Sequence, residues 1–224
     1  MSLLMYCVSP ARVTLFTDTL SATPDGHARH LTTKCWTFPH IGVAVAFTGL
    51  AQVGYRWIAT ITESMLCRDI DMLDVHAPEA LRRVVADVTE QYGGIHGTTT
   101  VYHFGQSEAT KEYVGYAYRS TADFASERLL AEGFGVKPPP ADGITVVPQT
   151  VEDVIALAEL IKTEQDALDA AVRLYIGGDL VMVHLEGGVM TAARIHRFDD
   201  YEQDWQSMND RIARERAAEP EELV

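Results

Sequence analysis

Apolar positions in the first fifty residues recur at the short periods of strands. Leu3 to Val8 is a brief apolar run that Ser9-Pro10-Ala11 interrupts, and Val13 to Thr17 then alternates apolar with polar. Strand, turn and strand in that order predict a hairpin. Thr23-Pro24-Asp25-Gly26 is a strong turn signal, and Thr32 to Phe38 alternates again. Pro39-His40 turns the chain into Ile41 to Phe47, a continuous apolar block suited to a strand buried on both faces.

The period then changes. Leu50, Val53, Gly54, Trp57, Ile58, Ile61 and Met65 lie on one helical stripe. A second helix is expected from Pro78, a residue favoured at the first helical position, with Leu81, Val84, Val85 and Val88 inward and Gly93-Gly94 at its end. Thr98 to Phe104 and Lys111 to Tyr118 read as strands joined by Gly105-Gln106-Ser107-Glu108. The proline-rich stretch from Val136 to Gly143 reads as a loop. A third helix opens at Thr150, with Asp153 completing its cap, and buries Val154, Ile155, Leu157, Ala158, Ile161 and Leu168. A last hairpin, Asp179 to Leu185 and Val189 to Ile195, turns at Glu186-Gly187-Gly188. Strands grouped with strands and helices with helices predict an α+β domain over residues 1–214, its antiparallel sheets covered by helices. Residues 215–224 form an acidic tail expected to fray.

Composition narrows the function classes. With 224 residues and 47% hydrophobic positions the chain can bury a full core and does not resemble a disordered segment. Its formal charge of −14 disfavours nucleic acid and anionic membrane as partners. No apolar run approaches the roughly 18 residues of a membrane span, and the N-terminus lacks the basic flank of a signal peptide. Cys7, Cys35 and Cys67 are odd in number and lack metal-type spacing, so small buried thiols in a reducing cytoplasm are expected.

Several catalytic templates are absent from the sequence: the Walker loop, G-x-G-x-x-G after a strand, H-E-x-x-H, C-x-x-C and the G-x-S-x-G elbow. His27 and His30 have a loose metal spacing but read as loop histidines. The N-terminus is chemically more specific. Removal of Met1 would leave Ser2 with a free α-amine, whose pKa near 7.7–8.0 leaves part of it neutral at pH 7. Such an amine can act as base for its own hydroxyl. A nearby lysine keeps the amine neutral by like-charge repulsion, and an aspartate must then hold the lysine. Asp18 and Lys34 are the candidates.

Ser2, Asp18 and Lys34 are separated by two intervals of 16 residues. Phe47-Thr48-Gly49-Leu50-Ala51 follows as an apolar strand ending in a glycine turn, and Tyr175-Ile176-Gly177-Gly178 precedes the last hairpin. In these features the chain resembles the proteasome-type N-terminal-nucleophile (Ntn) hydrolases. Met5-Tyr6-Cys7-Val8 also resembles the Thr-Tyr-Cys-Val start of Anbu, a bacterial relative, in a register that would put Met5 at the nucleophile position. The resemblance implies a four-layer αββα sandwich. It further implies Ser2 as nucleophile, Lys34 tuning its amine, Asp18 orienting Lys34, and the Gly49 N–H in the oxyanion hole. No metal or organic cofactor is implied. The implied substrate is a peptide or small amide, and the implied assembly a homo-oligomeric ring or spiral. Departures point to an alternative, a catalytically silent assembly or partner-binding subunit. Serine replaces the usual threonine, and Leu20 an arginine. Arg173 and Ile176 stand where an Asp and a Ser would support the amine. Tyr55 and Trp57 are expected to pack, and Arg119, Ser120 and Asp123 are secondary candidates for lining a pocket.

Overall fold

The first hairpin forms as expected, with β1 (Leu4–Val8) antiparallel to β2 (Arg12–Asp18). The computed structural model describes residues 3–23, 26–94, 97–144 and 146–218. Two short strands, β3 (Leu20–Ala22) and β4 (Ala28–Leu31), make a separate ribbon flanking the predicted 23–26 turn. The alternating stretch from Thr32 pairs only as β5 (Cys35–Phe38). A short 3₁₀ turn over Pro39–Ile41 leads into β6 (Val43–Gly49).

Helix α1 (Ala51–Ser64) follows, with Val53, Trp57 and Ile61 buried as its stripe requires. Helix α2 (Ile70–Tyr92) begins eight residues before Pro78, which lies inside it, correcting the expected start. Asp69 caps it by accepting from the Met72 N–H. An interior proline costs about 3 kcal/mol. Ile70, Leu73, Leu81, Val84 and Val88 are buried on this helix, each worth about 1.5–3 kcal/mol, so packing outweighs the break. Gly93, in the left-handed region, ends α2 as anticipated.

Then come β7 (Thr99–Gln106), β8 (Tyr113–Arg119), β9 (Ser126–Arg128) and β10 (Gly133–Lys137). The last corrects the expected loop, because Val136 and Lys137 are strand residues paired with Met5 and Leu4. Helix α3 (Val151–Asp166) carries the expected capping box between Thr150 and Asp153. It stops before Leu168, which is exposed rather than buried. The last hairpin is β11 (Asp179–Glu186) and β12 (Val189–Arg197). Helix α4 (Tyr201–Ala218) takes in the first part of the expected tail.

The strands form two five-stranded antiparallel sheets, β10-β1-β2-β11-β12 and β5-β6-β7-β8-β9. Leu4, Val8, Val13, Leu15 and Leu185 of the first sheet meet Ala44, Ala46, Tyr102 and Phe104 of the second in a core between them. Helices α1 and α2 cover the outer face of the second sheet around Trp57, Leu73 and Leu81. Helix α3 covers the outer face of the first around Phe16, Ile161 and Phe198. The result is the αββα sandwich. Fully buried His103 accepts from the Trp57 Nε1–H at 2.9 Å, and burial holds its pKa down to about 3, so the acceptor nitrogen stays unprotonated. All three cysteines are free thiols, but only Cys35 is fully buried, whereas Cys7 and Cys67 are partly exposed. No helix of the described residues is long and apolar enough to cross a membrane.

Candidate active site at the start of the first strand

Asp18 is the last residue of β2 and has no exposed surface. A carboxylate buried to this degree must be paired and fully hydrogen-bonded. Lys34, just ahead of β5, donates from Nζ to both carboxylate oxygens at 2.8 Å and to the Leu20 carbonyl at 2.5 Å. Asp18 Oδ1 also accepts from the Leu3 N–H at 2.9 Å, and Oδ2 from the Gly177 N–H at 3.3 Å. The lysine and the amide joining Leu3 to Ser2 thus share one acceptor atom. Burial pushes the Asp18 carboxyl up and the Lys34 ammonium down, and their mutual attraction pulls each back.

The surrounding backbone is fixed by the segment before β11. The Gly177 carbonyl accepts from the N–H groups of Thr19 and Leu20, and Thr19 Oγ1 accepts from the Asp179 N–H. The Gly177-Gly178 pair therefore closes over the end of β2.

Gly49 ends β6 with φ at +101°, and a Cβ there would stand 1.9 Å from the Thr98 carbonyl oxygen. Only glycine fits this turn into α1.

The structure brings Asp18 and Lys34 together as predicted, and Gly49 ends the second-sheet strand leading into α1. Ser2 lies outside the described residues. Between the two possible registers of the first strand, Met5 sits opposite Phe16, fully buried on the α3 side, and it is Leu3 that contacts Asp18. Ile176 is 2% exposed and packs with Leu3 and Met5, so an apolar side chain fills that position. The Arg173 guanidinium lies over the Tyr175 ring at 4.3 Å, with Asp166 at 3.7 Å.

Of the secondary candidates, Ser120 Oγ accepts from the Thr99 N–H, and Asp123 pairs with Arg82 on the surface. Arg119 pairs with Glu127 beside the gap between the sheets. The Lys137 ammonium, 3.1 Å from Thr100 Oγ1, reaches that gap from the other sheet. Sequence patterning missed it, because the adjoining prolines mask the strand that carries it. Among the described residues, no group of three or more His, Cys, Asp or Glu could hold a metal ion.

No protein-family model matches the sequence, and no curated protein sequence matches it. Solved structures do. A mutant of Anbu from Hyphomicrobium sp. strain MC1 superposes with a TM-score of 0.61 at 13% identity, covering 100% of both chains. Anbu from Yersinia bercovieri, described as an ancestral beta-subunit, gives 0.60 at 10% identity over 99% of both chains. Another Anbu structure from the Hyphomicrobium strain gives 0.59 at 12% identity over 99% of this chain and 100% of that one. Identities this low speak to architecture and not to chemistry: the chain has the proteasome-like Ntn-hydrolase fold of the Anbu type.

Proposed function

We propose that the chain is an Ntn hydrolase that cleaves peptide or small amide bonds with Ser2 as nucleophile once Met1 is removed. One contact carries this reading: the Leu3 amide, whose acyl half belongs to Ser2, is held by the carboxylate that holds Lys34. The Ser2 amine takes the proton of its own hydroxyl as Oγ attacks the carbonyl carbon. Lys34 keeps that amine neutral by like-charge repulsion, and Asp18 orients Lys34. The Gly49 N–H stabilises the oxyanion, a contribution of about 3 kcal/mol per donor. Collapse of the tetrahedral intermediate expels the amine, which takes up the proton, and leaves an ester on Ser2. Water then hydrolyses the ester, with the Ser2 amine again acting as base. Assembly into a homo-oligomeric ring or spiral, in the cytoplasm, belongs to the same proposal.

A second reading is a catalytically silent subunit that assembles or binds a partner. One feature favours it: Ile176 places hydrocarbon beside Leu3. The deciding experiment is intact mass of the native, untagged protein before and after a β-lactone probe. Loss of Met1 with an adduct on Ser2, abolished in Ser2→Ala, is the expected result. Retained Met1 with no adduct overturns the hydrolase reading and leaves the silent subunit.

A further inference from the structure

The gap between the two sheets ends in a polar cluster that the proposed mechanism does not use. Register places Lys137 beside Leu4 and Leu4 beside Thr17, and Leu4 faces the core between the sheets. Residues side by side across a sheet point to the same face, so Lys137 and Thr17 face that gap too. In the opposing sheet, Thr48 pairs with Thr100 and Thr100 with Arg119. This row lies one step beyond Ala46, Tyr102 and Ala117, which line the same core. Lys137 Nζ bridges the two rows by its bond to Thr100 Oγ1.

Arg119 is neutralised by Glu127, but Lys137 lacks a counter-ion among the described residues. Lys137 is half-buried, and among the described residues its ammonium has a single neutral hydroxyl as hydrogen-bond partner and no carboxylate within ion-pair distance. Burial pulls its pKa down, and the nearby Arg119 guanidinium adds to this. Thr48 Oγ1 is buried and unpartnered, although Thr48 is only 2% exposed. A half-buried cation without a counter-ion, next to an orphaned hydroxyl, is an unfavourable arrangement unless an anion joins it. A chain of net charge −14 has carboxylates to spare, yet among the described residues the one at this cluster, Glu127, is paired with Arg119 and none reaches Lys137.

Thr48 immediately precedes Gly49, and Lys137 is the strand partner of Leu4, two residues from Ser2. We propose that Lys137, with Thr48, Thr100 and Arg119, forms a carboxylate-binding subsite, making acidic peptides, with Glu or Asp beside the scissile bond, the substrate class of the site. This rests on the Ntn-hydrolase reading for its placement beside the reacting bond. Overall negative charge repels acidic ligands at long range, but physiological salt screens that beyond about 8 Å, whereas a half-buried contact is screened far less.

The test is binding, which needs no turnover. Full-length Ser2→Ala protein is titrated calorimetrically with the acetylated tripeptide amides Ala-Ala-Glu and Ala-Ala-Gln. The Glu peptide is expected to bind at least about tenfold more tightly, as a charge-assisted contact requires. Lys137→Gln should bring the two affinities together. Lys137→Arg, which keeps the charge, should retain the preference and shows that substitution at this position does not disrupt the fold. Equal affinities in the Ser2→Ala protein, no binding of either peptide, or a preference surviving in Lys137→Gln overturns the subsite. Failure of the hydrolase reading is separately visible: discrimination between the peptides without a Ser2 adduct leaves an acidic-peptide binding module and removes only the catalysis.

Discussion

Replacing Asp18 by alanine removes the acceptor of four hydrogen bonds at once, two from Lys34 and one each from the Leu3 and Gly177 amides. Among the described residues Lys34, 5% exposed, would keep only the Leu20 carbonyl and would be a buried charge without a counter-ion. Stranding one member of a buried pair costs about 3–5 kcal/mol. Each orphaned amide could add about 1–3 kcal/mol, but such terms overlap, so the loss expected for Asp18→Ala is about 4 kcal/mol. A charge-free control separates the ion pair from the rest. Asp18→Ala combined with Lys34→Met strands no charge, and it should recover at least about 2 kcal/mol relative to Asp18→Ala alone. The assay is urea unfolding followed by far-ultraviolet circular dichroism at pH 7, at one fixed protein concentration in case subunits associate. A loss below about 1 kcal/mol for Asp18→Ala, or a double variant no more stable than that single one, would refute the buried pair as the anchor of the site.

Two further outcomes follow from the same structure. Burial, followed by the neighbouring Asp200 carboxylate, raises the Asp204 pKa from 3.8 to about 6, partly offset by Lys162. The folded state then holds this proton more tightly than the unfolded state, so the associated stability is present below pH 4 and is lost as pH rises through about 6. Asp204→Asn should therefore gain stability relative to the native protein as pH climbs across that window, and thermal melts at pH 4 and 7 check it; a pH-independent difference contradicts the raised pKa. At Gly49 the φ of +101° and the approach of 1.9 Å to the Thr98 carbonyl predict that Gly49→Ala loses more than about 2 kcal/mol. An unchanged melting temperature would show that the turn into α1 is built differently.

How much of this was legible in the sequence depended on whether the signal was local. Period-two and period-3.6 patterns found the β1–β2 and β11–β12 hairpins, β6, α1 and the capped start of α3, because each element buries one face by its own repeat. The chemistry of an N-terminal amine, and the family resemblance carried by the 16-residue intervals, single out Asp18 and Lys34, whose side chains meet at 2.8 Å. Pro78 is a good first-turn residue and so masks the true start of α2, and only the packing of Ile70 and Leu73 shows that the helix runs through it.

Strand β10 is the clearest case that tertiary structure alone decides. Gly-Phe-Gly-Val-Lys has little strand propensity, yet it pairs along the whole of β1. The Tyr6 ring occupies the space a side chain at 135 would need, with its Cζ 2.1 Å from where that Cβ would stand. The edge of β1 and the face of Tyr6 therefore make the strand. The strand in turn carries Lys137 across the gap to Thr100. Periodicity reports how a segment buries itself. Which segments become neighbours, and so which charges meet in the cleft, depends on long-range pairing between strands far apart in the chain.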